Sequence, residues 1–119
     1  MSNIYVLGAG MVGSAMAIDL AKKHHVTISD ISSEVLSRVV EKEPSLKTEI
    51  LDVTDTKDLA SKIKDADLVL SAVPGFLGFE TLKNIILQRK NTVDISFFPE
   101  NALELNQLAL ENNITAIVD

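Results

Sequence analysis

The chain has 119 residues, of which 46% are apolar and 24% charged, with a formal net charge of −6 and no cysteine. Without cysteine there is no disulfide scaffold, thiolate zinc site or cysteine nucleophile, and a net-acidic chain lacking any run of Lys and Arg argues against nucleic acid as the main partner. At this size, area scaling gives about 6,300 Å² accessible when folded against about 18,700 Å² when unfolded, so one self-sufficient core is expected.

The apolar run that follows Met1 is short, broken by glycine and preceded by no basic segment, so no signal peptide is expected. No apolar stretch approaches the ~20 residues that cross a bilayer. A cytoplasmic location away from membranes is the resulting expectation.

Taken in chain order, β-rich apolar runs fall at residues 4–7, 26–29, 48–51, 68–73, 92–95 and 114–118. Between them apolar residues recur at helical spacing: Val12, Ala15, Met16 and Leu20; Val35, Leu36, Val39 and Val40; Leu59, Ala60 and Ile63; Phe79, Leu82 and Ile86; then Ala102, Leu105, Leu108 and Ala109. Short apolar strands alternating with helices predict a parallel α/β sheet covered on both faces. Six strands joined by five crossovers match a doubly wound Rossmann domain of strand order 3-2-1-4-5-6. Asp30-Ile31-Ser32 and Asp52-Val53-Thr54-Asp55 offer helix-capping oxygens, and Pro99 suits the first turn of the last helix.

The sharpest chemical feature is Gly8-Ala9-Gly10-Met11-Val12-Gly13, between the first strand and the first helix. In that position each glycine has a mechanical role. Gly8 makes the tight turn, Gly10 admits a pyrophosphate to the backbone, and Gly13 lets helix and strand pack closely. The helix N-terminus adds unpaired N–H groups and partial positive charge. Asp30 stands 17 positions after Gly13 at the end of the second strand, the slot for a carboxylate that accepts ribose hydroxyls. No Arg follows it in Ile31-Ser32-Ser33-Glu34, so NAD is expected over NADP; the competing role for Asp30 is a cap for the next helix.

Asp52 and Val53, after the third strand, are placed either at the adenine edge or as a helix cap. Ala72, Val73, Pro74 and Gly75 follow the fourth strand across the topological switch point, where they line the pyrophosphate and nicotinamide-ribose side or serve as loop punctuation. Asp94 lies within an apolar strand and so needs partners. His24 and His25, after Lys22 and Lys23, read as cations near a helix C-terminus. Glu41, Glu43 and Glu49 read as a solvated face. The sole tyrosine, Tyr5, lies in the first strand, which excludes a Tyr-x-x-x-Lys catalytic pair. No metal-spaced cluster is apparent.

Three further segments carry a resemblance: Leu51-Asp52-Val53-Thr54-Asp55, Val73-Pro74-Gly75-Phe76-Leu77-Gly78-Phe79, and Val93-Asp94-Ile95-Ser96-Phe97-Phe98-Pro99-Glu100-Asn101. With the glycine motif, they make the whole chain resemble the N-terminal cofactor-binding domain of the saccharopine dehydrogenase family, including its lysine dehydrogenase relatives. The resemblance implies an NAD(P)-dependent oxidoreductase acting on amino-acid C–N bonds. It implies cofactor contacts at Gly8, Gly10, Val12, Asp30, Asp52 and residues 72–75; position in the motifs adds Met11, Gly13, Ile31 and Val53. The family's glutamate-forming fungal enzymes often use NADP, and Asp30 departs from that.

Residues 1–119 thus read as one dinucleotide-binding domain, with the substrate domain absent, Asp119 as the boundary of an excised domain, and no turnover by this chain alone. A homo-oligomer is left open. Two other readings stand beside this one: an NAD-sensing regulatory module like those of potassium transport systems, and an adaptor that kept the fold and lost the ligand. The turn at Pro74-Gly75-Phe76-Leu77-Gly78 favours the enzyme, and the intact glycines argue against the adaptor.

Overall fold

In the computed structural model, which describes residues 2–96 and 98–118, six parallel strands form one sheet. The strands are β1 (Asn3–Leu7), β2 (His25–Asp30), β3 (Lys47–Ile50), β4 (Leu68–Ser71), β5 (Thr92–Asp94) and β6 (Ala116–Val118), in the order 3-2-1-4-5-6. The helices joining them are α1 (Met11–Leu20), α2 (Ser33–Lys42), α3 (Thr56–Ile63), α4 (Gly75–Leu87) and α5 (Asn106–Glu111). The expected doubly wound architecture is present. Phe97 of the third motif and Asp119 lie outside the described residues.

Strand alternation divides the core. Ile4, Val6, Val26, Ile28 and Leu70 point to one face, where Ala17 of α1 and Leu36 and Val39 of α2 cover them. Tyr5, Leu7 and Val69 point to the other, against Leu59 and Ile63 of α3 and Ile85 of α4. A third cluster, Leu82, Ile86 and Leu105, closes the β6 end together with Phe79, Phe98 and Leu108. Right-handed crossovers dictate this split: stepping from β1 outward to β2 and β3 lays helices on one face, and stepping from β3 across to β4, β5 and β6 lays them on the other.

Local chemistry sets the helix starts. The Ser32 side chain accepts from Val35 N at the head of α2, and Asp55 accepts from Asp58 N at the head of α3. The last crossover departs from expectation. A 3₁₀ turn, Ala102–Leu105, precedes α5, and its cap is Asn101, whose side chain accepts from Leu103 N. Pro99 therefore stands two residues ahead of the cap instead of within the first turn. Strand four is also shorter than its apolar run, because Pro74 caps α4 and turns the chain out of the sheet.

Candidate functional site

The strand order reverses between β1 and β4, and the glycine loop lies at the carboxyl end of β1 beside that switch point. Gly8 has φ +98°, a left-handed conformation that disfavours a side chain, and a Cβ there would stand 2.5 Å from the Ala72 carbonyl oxygen. Its N–H donates to the Ser29 carbonyl at 2.9 Å, continuing the sheet into the loop. A Cβ on Gly13 would overlap the Gly8 carbonyl oxygen and lie 3.3 Å from Ala72 Cβ, so α1 seats on the loop only because that atom is missing. Gly10, the N-cap of α1, has nothing within 4 Å of where its Cβ would be. That open space before a helix N-terminus leaves room for an anionic group to approach the backbone.

Asp30 is half-buried at the end of β2, and both of its oxygens are engaged. Oδ2 accepts from Ala9 N at 2.8 Å, and Oδ1 accepts from Ser32 N at 3.0 Å. Ser32 caps α2, so Asp30 does not, and the competing role is removed. The carboxylate instead ties the glycine loop to β2. A carboxylate has about four acceptor positions, so two remain for further donors.

Asp52 is exposed, and its Oδ1 accepts from Thr54 Oγ1 at 2.6 Å and Thr54 N at 2.9 Å. The Thr54 hydroxyl, then its N–H, hold the carboxyl below its ordinary pKa. Asp55 caps α3, which leaves Asp52 at the groove.

A groove of about 320 Å³ joins these parts, lined by Gly8, Asp30, Ile31, Asp52, Val53, Val73 and Pro74 from the sequence-derived set. Met11 and Val12, the first two residues of α1, are 90% and 56% exposed and lie outside this lining. Gly10, Gly13, Ala72 and Gly75 do not line it either; Gly13 and Ala72 build the floor of the loop, and Gly75 is the first residue of α4. Ser29, Leu51, Phe76 and Leu77 also line the groove, and sequence reasoning misses them as contacts. Phe76 and Leu77 escape because Pro74 followed by Gly75 reads as a turn, whereas Gly75 opens α4 and both residues fall in its first turn.

A larger cavity of about 570 Å³ lies at the opposite end of the sheet, bounded by Asn3, His25 and Lys47 at the starts of three strands. There Tyr5 Oη donates to Glu49 Oε1 at 2.7 Å, so Glu49 is not simply a solvated charge. Burial, the Glu49 hydrogen bond and the Glu49 charge all raise the Tyr5 pKa. His24 Nδ1 accepts from Ser2 N at 3.3 Å, and His25 opens β2. Among the described residues no group of three His, Asp or Glu side chains is placed to hold a metal, and no helix is long and apolar enough to cross a membrane.

Comparison with known proteins agrees with this geometry. Residues 4–117 match the family described as the saccharopine dehydrogenase NADP binding domain. The chain is 28% identical over 122 residues to a saccharopine dehydrogenase (NADP+, L-glutamate-forming) from Pyricularia oryzae, covering 97% of this chain and 26% of that protein. The apo saccharopine dehydrogenase (L-Glu forming) of Saccharomyces cerevisiae superposes with a TM-score of 0.85 at 27% identity, over 99% of this chain and 27% of that one. The scyllo-inositol dehydrogenase of Lactobacillus casei, solved with NAD(H) and scyllo-inositol, superposes at 0.78 and 17% identity over 99% of this chain and 36% of that one, a likeness of fold alone. The chain spans about a quarter of the saccharopine dehydrogenases it matches. By the match over nearly its whole length, the chain belongs to the saccharopine dehydrogenase NADP-binding domain family.

Proposed function

We propose that this chain binds a nicotinamide dinucleotide along its carboxyl edge, with NAD preferred over NADP, as the cofactor domain of an oxidoreductase acting on amino-acid C–N bonds. The observation that carries the reading is Asp30, held by Ala9 N and Ser32 N with acceptor capacity left over. Gly10 and the first N–H groups of α1 hold the pyrophosphate. The adenine lies between Ile31 and Val53, and Asp30 receives the adenosine ribose. Met11, Val12 and residues 72–75 complete the contact surface. The bound cofactor supplies hydride transfer at its nicotinamide ring; this chain's residues bind it, orient it and fix its electrostatic surroundings.

The preference for NAD runs against the family description and the Pyricularia relative, both of which name NADP. The physical argument rests on charge. A 2′-phosphate carries roughly −1.5 to −2 charges at neutral pH, and Asp30 would face it with a carboxylate. Arg38, the nearest arginine in sequence, is instead paired with Glu34 at 2.8 Å. Titration of both cofactors tests this: NAD is expected to bind at least about tenfold tighter, a difference of roughly 1.4 kcal/mol. Equal affinity, or tighter NADP, overturns the preference while leaving the dinucleotide reading intact. No thermal stabilisation by either cofactor overturns the dinucleotide reading and favours an adaptor.

Within this reading the chain alone is inactive, since nothing in the groove orients a second reactant or shields it from water. Lysine- or saccharopine-dependent NAD reduction by these 119 residues would contradict that.

A further inference from the structure

The groove described above receives the adenosine half of a dinucleotide, and the β4, β5 and β6 half of a doubly wound sheet receives the other nucleotide. At that second edge Asp94 and Ser71 are register partners on adjacent strands, and Thr92 shares their face beneath α4. Asp94 and Ser71 are fully buried and Thr92 nearly so. Asp94 Oδ1 accepts from Ser96 N at 2.7 Å and from Ser96 Oγ at 2.5 Å. Asp94 Oδ2, Ser71 Oγ and Thr92 Oγ1 find no partner among the described residues.

A carboxyl withdrawn from water with one oxygen unsatisfied is costly, and an apolar residue would fill a strand interior more cheaply. What the Asp94 carboxyl supplies is local geometry. It closes the turn leaving β5, and Ile95 N within that turn donates to the Ser71 carbonyl at 3.0 Å. Ser96 in turn lies against α4 so closely that a Cβ on Gly78 would overlap its hydroxyl. The next residue after Ser71 is Ala72, whose N–H donates to the Leu7 carbonyl at 2.8 Å and whose own carbonyl abuts Gly8. A continuous chain of contacts thus runs from the glycine loop through the end of β4 to Asp94, Ser96 and α4.

We infer that Asp94 is a positioning residue for the nicotinamide half of the dinucleotide: through Ser96 it locks the β5 exit against α4, so that the ends of β4 and β5 present a fixed surface there. The inference rests on the dinucleotide reading. A merely structural Asp94 would alter stability without distinguishing one half of the ligand from the other.

The test compares NAD with ADP, which retains the adenosine and pyrophosphate but lacks the nicotinamide nucleoside, by titration calorimetry on the full chain. Asp94→Ala is expected to weaken NAD by about tenfold and ADP by less than about twofold. Asp94→Asn keeps an acceptor for both Ser96 donors, so it restores NAD affinity to within about threefold. If Asp94→Ala does not fold, Ser96→Ala removes one of the two bonds and is expected to weaken NAD alone by about threefold. Equal losses for both ligands, or unchanged NAD affinity, overturn the inference. Failure of the unaltered chain to bind either NAD or ADP overturns the dinucleotide reading itself, and the inference with it.

Discussion

The two glycines at the head of α1 look alike in sequence, yet alanine is expected to act on them in opposite ways. At Gly13 the added Cβ overlaps the Gly8 carbonyl oxygen and stands 3.1 Å from the Gly8 carbonyl carbon. Both obstacles are backbone, so no rotamer change relieves them, and the cost belongs at the upper end of the overpacking range, about 3 kcal/mol. Alanine's better helix propensity returns about 1 kcal/mol, leaving a net loss of about 2. At Gly10 the Cβ meets nothing within 4 Å and φ is −69°, which any residue adopts. Reduced freedom of the unfolded chain contributes about 0.4–1 kcal/mol, and the poorer N-cap costs a similar amount, so stability should change by less than about 0.5. The same methyl group stands where the proposed pyrophosphate contact would form. Thermal denaturation should show Gly13→Ala melting about 8 °C lower and Gly10→Ala almost unmoved, while NAD affinity falls at least about tenfold in Gly10→Ala. A Gly10→Ala chain that binds NAD normally, or a Gly13→Ala chain as stable as the original, would refute the assignment of separate roles to these glycines.

Asp30→Ala leaves the buried Ala9 N–H without its acceptor, which should cost about 1–3 kcal/mol in urea unfolding, and it should weaken NAD severalfold while narrowing the preference over NADP; unchanged selectivity in paired titrations would contradict the ribose role. Burial raises the pKa of Asp94 against the opposing pull of Ser96, so its ionisation opposes folding: the penalty is absent below the unfolded value near 3.8 and grows as pH rises through the folded value. Asp94→Asn should therefore gain relative stability between acid and neutral pH, and a pH series of melting temperatures in which that difference stays flat would speak against it. Tyr5 is the sole tyrosine and there is no tryptophan, so alkaline titration followed by tyrosinate absorbance reads one group. Its ionisation should come above the usual tyrosine range and coincide with unfolding, because a raised folded pKa contributes stability that is present below the unfolded value and lost as pH climbs; a normal titration in a folded chain would show the Tyr5–Glu49 bond to be absent.

What is legible in the sequence is what short segments encode by themselves. Strand order follows from alternation and the handedness of crossovers, the loop from three glycines in register with a strand and a helix, and the capped helix starts from the oxygen-rich segments 30–32 and 52–55, within which the structure selects Ser32 and Asp55. What escapes depends on strand register or on distant segments. Nothing near residue 30 announces that its carboxylate reaches back to Ala9, 21 positions away. Glu49 sits among charges that look solvated until sheet register brings it to Tyr5. Apolar spacing places the last helix, but that spacing does not show that Asn101 starts a 3₁₀ turn, since i+3 and i+4 contacts overlap over so few residues. Phe76 stands in a motif readable from sequence while its place in the groove lining is not, because its 81% exposure in the free domain follows from geometry and not from residue type.

The bond from Ala9 N to Asp30 has a further consequence, for the kinetics of the free protein. The mouth of a ligand groove is ordinarily where backbone amides exchange fastest with solvent, because no ladder holds them. Here the loop amide is already held at 2.8 Å by the residue assigned to the ribose. Deuterium uptake at Ala9 should accordingly be slow before any ligand arrives, and little conformational entropy is left for binding to remove. Recognition on this edge then resembles docking onto a finished surface, with the glycine loop and its acidic neighbour moving as one piece.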